Sequence, residues 1–281
     1  YQEKAENLPS LSYLSYGKIA TMIESPAKFW AKYYKGHKTE PSAAMIEGRN
    51  LHAAVLEPHI FNKNCVVHNY DSFRTNAAKQ WREETYAANP DAIICTPEEK
   101  QEIMDIVDAV RSHPKAGPIL QASNLERHGY AEDAEFGLLY SRPDFITSDG
   151  LKGDLKFVRT VNDHQFRSQM FAELWFMQLC FYGHVDHLIT GNQNEEDKLF
   201  VAVEKEYPYV TEVKTLDRSF EGMGNILWRR GAAAIRDFQK RGPNGERDIW
   251  FAKHYETKEL TPTLGQLQSD IEFAQFISIG G

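Results

Sequence analysis

Two hydrophobic patterns alternate along this chain, and each predicts a different kind of secondary structure. The N-terminal third is punctuated by helix-start signals, whereas the middle carries short apolar runs separated by turn residues. Three N-terminal helices are predicted, over residues 25–34, 43–56 and 97–112. Ser25 and Thr96 are N-cap residues followed by proline at the first helical position, and Glu99 completes a capping box with Thr96. The second of these helices is expected to end before Pro58.

The middle and second half of the chain predict a sheet that lies between helices. Strands are predicted over residues 125–132, 138–146, 151–158, 199–205 and 209–215, with turns at 133–137 and 147–150. An apolar stripe predicts a helix over 171–187, and a long helix is predicted over 217–239. Helices on both sides of the strand group indicate a single α/β domain over residues 1–281 with a central mixed sheet. Its parts would be a helical N-terminal portion over about 10–120, a core over about 121–215 and a C-terminal helical extension over about 216–281.

Composition is that of an ordinary globular protein. The 281 residues suffice to bury a full core, and 42% of them are hydrophobic and 26% charged. No apolar run approaches the roughly 18 residues of a membrane helix and nothing resembles a signal peptide, so no membrane association is expected. The 3 cysteines are widely spaced, which argues against a disulfide framework, a zinc site and an iron–sulfur cluster. These features predict a reducing, cytoplasmic setting, and because the first residue is Tyr1 we expect the native start to lie upstream.

The net charge of −8 bears on which classes of function the chain can have. A protein that coats DNA passively is normally basic, because neutralising phosphates supplies non-specific affinity. A catalytic groove can be locally basic on an acidic body, however. Acidity therefore counts mildly against a DNA-binding module and hardly at all against a nuclease.

The predicted hairpin between residues 138 and 158 carries the most informative chemistry. If its loop is the three-residue segment 148–150, Asp144 lies directly opposite Asp154, and other loop lengths shift this register by about one residue. Facing side chains have Cβ atoms roughly 5 Å apart, and like charges there are destabilising. A divalent cation such as Mg²⁺ would resolve the repulsion, because it prefers carboxylate oxygens. Lys156 would then stand beside the cation, where its ammonium could orient or deprotonate an attacking water.

A less specific interpretation of this hairpin also has to be kept open. Lys152, Asp154 and Lys156 share one face of their strand, and alternating charges are ordinary on a solvent-facing hairpin. The Asp-x-Lys tripeptide is common and is no evidence by itself.

Three further positions add weight to the hairpin. His52 lies on the helix predicted over 43–56, one turn after Gly48, whose small size would let another element approach, although a lone helical histidine is usually a core or surface residue. Gln178 falls within an apolar helical stripe, with Tyr182 one turn further on, so its amide needs a hydrogen-bond partner in a polar site or in the fold itself. Glu126 opens the strand before the hairpin, where an exposed carboxylate is the simpler interpretation.

In their order and spacing, these positions resemble the RecE-type branch of the PD-(D/E)XK nucleases, which includes exonuclease VIII and its phage relatives. The resemblance covers residues from about 11 to 191. Its motifs are Leu14-Ser15-Tyr16, Ser25-Pro26-Ala27, Gly48-Arg49-x-Leu51-His52-x-x-x-Leu56-Glu57-Pro58, Glu126, Gly137, Arg142-Pro143-Asp144, Asp154-Leu155-Lys156 and Gln178-x-x-Phe181-Tyr182.

The resemblance implies a restriction-endonuclease-like core and a metal-dependent nuclease site. As metal ligands it implies His52, Asp144, Asp154 and the Leu155 carbonyl, and beside them the catalytic Lys156, Glu126, and the helical pair Gln178 and Tyr182. Members of the branch use Mg²⁺, for which Mn²⁺ substitutes, and degrade one strand of linear duplex DNA from 5′ to 3′ without ATP. Several form ring-shaped homo-oligomers and act beside a single-strand annealing protein in recombination, in bacteria or phage-infected cells.

One detail departs from the branch, and other functions stay open. The usual Asp-x-Lys-Thr-Thr run continues here as Phe157-Val158 after the lysine, which leaves the phosphate contacts there undefined. Arg49, Arg142 and Arg159 are candidate phosphate contacts. A restriction-like endonuclease and a non-catalytic DNA-end-binding protein are the alternatives, whereas an iron–sulfur nuclease would need four cysteines.

Overall fold

Three sheets and the helices packed around them make up the part of the chain that the computed structural model describes, which is residues 11–191 and 198–241. The strands there are β1 Leu14–Ser15, β2 Cys65–Val67, β3 Ile93–Cys95, β4 Ser123–Leu125, β5 Gly129–Asp133, β6 Gly137–Ser141, β7 Phe145–Thr147, β8 Lys152–Val158, β9 Lys198–Glu204 and β10 Thr211–Thr215. The helices there are α1 Tyr16–Glu24, α2 Pro26–Phe29, α3 Ala43–Leu56, α4 Pro58–Asn64, α5 Asn76–Ala88, α6 Pro97–Ser112, α7 Ala116–Gln121, α8 Asp163–Ala172, α9 Trp175–Thr190 and α10 Arg218–Arg241. A π-helical turn over Trp30–Tyr34 follows α2.

The largest sheet confirms the predicted α/β architecture with a mixed sheet. Its 5 strands are ordered β10-β9-β8-β7-β4, with β8 and β9 parallel and the other neighbours antiparallel. One face, which includes Leu155 and Val201, packs against α3, α6 and α7 in the main hydrophobic core. The opposite face, which includes Asp154 and Phe200, lies against α8 and α9. The central strand β8 is therefore covered on both faces.

The predicted strands over 125–132 and 138–146 are each wrong in one respect, because the chain changes sheet inside them. The first divides into β4 and β5 and the second into β6 and β7, with β5 and β6 in a separate sheet of order β1-β6-β5. Glu126 has a φ of 51°, a left-handed conformation that ends the ladder after β4. Pro143 supplies no N–H to a ladder and lies at the second crossing, between β6 and β7. A third sheet pairs β2 with β3 in parallel.

Most of the helix predictions are confirmed, and the differences have local causes. α3 begins and ends where predicted, α6 has the predicted capping box at Thr96, and α10 covers the helix predicted over 217–239. The helix predicted over 171–187 begins only at Trp175, because Leu174 has a φ of 56° and separates α9 from α8. The predicted C-terminal extension lies outside the described residues beyond Arg241, so the single-domain organisation stays a prediction. Within the described ranges, no helix is both long and apolar enough to cross a bilayer.

Candidate active site

The β7–β8 hairpin brings Asp144 and Asp154 face to face. Phe145 pairs with Gly153, so the next step of the register places Asp144, just before β7, opposite Asp154. The loop has the three-residue form, since the Thr147 N–H donates to the Leu151 carbonyl at 2.9 Å. Asp144 is 9% exposed and Asp154 is 1% exposed. Two facing acids are thus withdrawn from water, and the solvent-facing interpretation of this hairpin is wrong.

A hydrogen-bond network from α9 fixes the side chains around Asp154. Gln178 Nε2 donates to Asp154 Oδ1 at 2.9 Å and to the Tyr182 hydroxyl at 3.1 Å, while Gln178 Oε1 accepts from Lys156 Nζ at 3.2 Å. Lys156 also forms an ion pair with Asp154 Oδ2 and lies 5.0 Å from the centre of the Trp175 ring. The polar partner that Gln178 requires on its apolar helix is therefore the acid–lysine pair itself.

On the other side of Asp144, three potential ligand atoms converge. One atom each from His52, Glu126 and Asp144 lies within 4.8 Å of the other two, and His52 Nδ1 is 3.5 Å from Asp144 Oδ2. Burial lowers the pKa of His52 to about 4 despite the nearby Asp154, so the imidazole is neutral at physiological pH and keeps a nitrogen lone pair. A neutral imidazole between two carboxylates is a donor set that divalent cations accept.

The ionisation of the acids is strongly perturbed. Burial and the charges of Asp154 and Glu126 raise the pKa of Asp144 well above its usual range, although the Leu155 N–H donates to Asp144 Oδ2 at 2.6 Å. Burial raises the pKa of Glu126 to about 7, against the opposing effect of Arg142. At neutral pH these acids require protons or a cation.

Among the described residues, one carboxylate oxygen of Asp154 lacks a hydrogen bond. Its Oδ2 atom is buried and, within residues 11–191 and 198–241, accepts no hydrogen bond of acceptable geometry, although the Lys156 ammonium forms an ion pair with it. Buried carboxylate oxygens are normally hydrogen-bonded or ligate a metal. The donor set and this oxygen fit a divalent cation.

The remaining predicted residues have different surroundings. Leu155 is fully buried on β8, and its backbone takes part in the site through the N–H that holds Asp144. Arg142 lies at the site, with Nε 2.6 Å from Glu126 Oε2 and Nη2 3.3 Å from Glu57 Oε2. Arg49 on α3 and Arg159 just after β8 are both exposed.

Two interpretations from the sequence need correction here. Glu126 is not an exposed strand residue: it lies between β4 and β5, and only 13% of its side chain is exposed. Gly48 does not serve a close approach of another element, because a Cβ added there would meet no heavy atom within 4 Å in the part of the chain that is described.

Sequence reasoning missed two residues that contact the site. Glu57 pairs with Arg142; the motif that contains His52 includes it, but sequence alone assigned it no role. Tyr16 packs edge-on against Tyr182, with ring centres 6.4 Å apart, and its hydroxyl donates to the Glu173 carbonyl at 2.8 Å, next to the start of α9. The motif around Tyr16 contained it, but no local pattern shows that it reaches α9.

The mixed sheet, the paired acids and the adjacent lysine define a domain of the PD-(D/E)XK nuclease class, with a restriction-endonuclease-like fold. The chain belongs to the family described as PDDEXK-like domain of unknown function (DUF3799), whose pattern matches residues 15–240. Comparison with curated proteins finds no match.

Two solved structures resemble this one to very different degrees. A candidate exonuclease from Eubacterium rectale superimposes with a TM-score of 0.58 at 10% identity, over 95% of this chain and 98% of that chain. This likeness concerns the fold alone. The structure of SSO0001 gives a TM-score of 0.29 at 13% identity, over 84% of this chain and 96% of that chain, which is too low to bear on the fold.

Proposed function

We propose that this chain is a Mg²⁺-dependent, ATP-independent exonuclease that hydrolyses phosphodiester bonds of linear double-stranded DNA, with Mn²⁺ as a substitute cation. One observation carries the proposal: two buried facing acids, Asp144 and Asp154, share a centre with the Lys156 ammonium and the neutral His52 imidazole. This combination offers cation ligands on one side and a positioned cationic group on the other. The Eubacterium rectale candidate exonuclease supports the same class by fold.

Each residue of the centre has a role in this reaction. His52, Glu126, Asp144 and Asp154 would hold the cation. When bound, the cation supplies Lewis acidity toward a phosphate and offsets the charge of the surrounding acids.

Lys156, held by Asp154 and Gln178, would orient the attacking water and stabilise negative charge on the phosphate oxygens. Gln178 joins the acid and the ammonium in one network, and Tyr182 fixes the Gln178 amide.

The finer part of the proposal follows the resemblance to the RecE-type branch. It comprises 5′-to-3′ polarity, a single-stranded product used in recombination, a ring-shaped homo-oligomer and a single-strand annealing protein as partner, in the cytoplasm of a bacterial or phage-infected cell. The order of motifs between residues 11 and 191 supports this assignment.

End-labelled DNA tests the activity and its polarity. We expect the protein with Mg²⁺ and no ATP to release label early from the 5′ end of a linear duplex and late from the 3′ end. A covalently closed circle should stay intact. Cutting of the circle would replace the proposal with an endonuclease, and inertness toward both substrates in Mg²⁺ and Mn²⁺ would favour a DNA-end-binding protein.

A pair of matched variants tests the site. Asp154→Asn keeps the side-chain size but removes the charge, and we expect it to lower the cleavage rate by about 10²-fold or more. Asp108→Asn, the same change at an exposed position of α6, should cleave like the wild type. Equal activity of both variants, with metal contamination controlled, would rule out the proposed centre.

A further inference from the structure

Glu57 joins the two helices next to the cation site. Its N–H donates to the Ala53 carbonyl at 3.0 Å and closes α3, while its carbonyl accepts from Ile60 and Phe61 at the start of α4, at 2.8 and 3.0 Å. The backbone of Glu57 is thus fixed from both sides. Since His52 precedes it by five residues on α3, the helix that supplies the imidazole also sets the position of this carboxylate.

Arg142 lies between two carboxylates, Glu126 and Glu57, which differ in how far they are exposed to solvent. Its Nε atom is 2.6 Å from Glu126 Oε2, and its Nη2 atom is 3.3 Å from Glu57 Oε2. The Glu126 side chain is 13% exposed, against 30% for Glu57 and 40% for Arg142. The guanidinium therefore links a nearly buried acid of the cation site to a more exposed acid outside it.

A guanidinium and a divalent cation compete for Glu126. The carboxylate is one of the three groups that converge on the cation position, together with His52 and Asp144. A cation bound there is repelled by a nearby guanidinium, and each of them is stabilised by the same negative charge. A second carboxylate that retains the guanidinium weakens this competition.

We propose that Glu57 is a positioning residue, which anchors Arg142 so that Glu126 stays available to the divalent cation. This inference rests on the proposed function, because it takes His52, Glu126 and Asp144 as the cation site. It gives Arg142 a role within the site itself, in place of a simple phosphate contact.

Calorimetric titration of the full chain with Mn²⁺ tests the inference without measuring cleavage. Glu57→Gln leaves Arg142 with Glu126 as its remaining carboxylate, and we expect the variant to bind Mn²⁺ about fivefold more weakly than the wild type. Glu47→Gln is the matched control: it removes an exposed ion pair on the same helix, in which Glu47 Oε2 lies 2.6 Å from Lys205 Nζ. Its Mn²⁺ affinity should equal that of the wild type.

A double-variant cycle separates positioning from simple charge loss. If Glu57 acts through Arg142, Arg142→Gln alone should bind Mn²⁺ as tightly as the wild type or more tightly. Adding Glu57→Gln to that variant should then change nothing. A fivefold loss that persists in the Arg142→Gln background would mean that Glu57 acts on the cation directly, and would overturn the inference.

The outcomes distinguish this inference from the proposed function. Wild-type affinity in a folded Glu57→Gln variant would contradict the positioning role alone. Absence of Mn²⁺ binding by the wild type would overturn both. Should Glu57→Gln fail to fold, Arg142→Gln still tests the inference, because weakened Mn²⁺ binding by that variant would contradict it.

Discussion

At the scale of single residues, the ionised carboxylate of Asp144 carries most of the unfavourable electrostatic energy of the site. Burial and the charges of Asp154 and Glu126 all raise its pKa, so its ionised form destabilises the metal-free fold. If the proposed function is correct, this loss of stability accompanies the cation site. Removing the charge should therefore stabilise the protein and abolish its function.

The variant Asp144→Asn tests whether removing this charge raises stability and abolishes function. We expect the variant to raise the Tm of the metal-free protein at pH 8 by about 5 °C, because the buried repulsion disappears, and to lose cleavage. Scanning calorimetry in EDTA gives the Tm, and Asp108→Asn should leave it unchanged. A lower Tm for Asp144→Asn would show that the carboxylate stabilises the metal-free fold.

The perturbed pKa values of Glu126 and His52 predict how the stability of the metal-free protein changes with pH. Glu126 has a folded pKa of about 7, above its ordinary 4.5, so its contribution to stability falls as pH rises from 4.5 to about 7 and then levels off. His52 acts oppositely, but only between its folded pKa of about 4 and its ordinary 6.5. Between pH 6.5 and 7 the effect of Glu126 is no longer opposed by His52, so the metal-free protein should lose stability there, and less so with Mg²⁺ present.

At the residue scale, sequence could predict those members of the site whose geometry is local. Asp144, Asp154 and Lys156 follow from the alternation of strand side chains and a three-residue turn. Glu57 could not be assigned a role, because its partner Arg142 is 85 positions away in the chain. No local pattern encodes that contact.

At the scale of elements, the β7–β8 hairpin depends on a glycine beside an aromatic ring. A Cβ at Gly153 would lie 1.9 Å from Cζ of Phe145, its cross-strand neighbour, whose side chain is fully buried. Phe145 can thus cover β8 immediately before the acid at position 154. Gly153 is required by packing, since its φ is not left-handed.

Gly153→Ala should disturb this hairpin measurably. The added methyl displaces Phe145 in a dense core, and we expect a loss of about 1–3 kcal/mol in the free energy of unfolding. Urea denaturation with an unchanged m-value is the measurement. Gly222→Ala is the control: a Cβ there meets no described heavy atom within 4 Å inside α10, so helix propensity should make it stabilising by about 0.5–1 kcal/mol. Equal stability of Gly153→Ala and the wild type would refute the packing argument.

Elements with strong end signals were predictable, and elements interrupted by tertiary contacts were not. Pro58 marks the end of α3 and a capping box marks the start of α6, and the bounds of both helices match the prediction. The strand predicted over 138–146 has continuous local propensity, yet its halves join different sheets. Which sheet a strand enters depends on partners elsewhere in the chain, such as β1, which pairs with β6.

At the scale of the whole molecule, a net charge of −8 opposes the approach of DNA. The acidic centre adds to that repulsion as long as no cation neutralises it. A divalent ion should therefore control DNA binding as well as cleavage. Ca²⁺, which prefers the same oxygen ligands, can test binding separately from the reaction.

We expect duplex DNA to bind at least about tenfold more tightly in Ca²⁺ than in EDTA at equal ionic strength. Fluorescence anisotropy of a labelled linear duplex measures both affinities. The double variant Asp144→Asn with Asp154→Asn should lose most of the Ca²⁺ effect, because its centre no longer needs the cation. Equal wild-type affinity in Ca²⁺ and EDTA would place the DNA on a surface away from these acids.

The sequence by itself determined the class of fold and the chemical core of the site. Helix caps, strand alternation and a short turn act over a few residues, so they predict α3, α6 and the facing acids without knowledge of the rest. The tertiary structure decided what surrounds that core. Burial raises the pKa of Asp144, α9 brings Gln178 to Asp154, and α3 brings His52 and Glu57 to Asp144 and Arg142. Those contacts join segments far apart in the chain, and only packing of the complete fold establishes them.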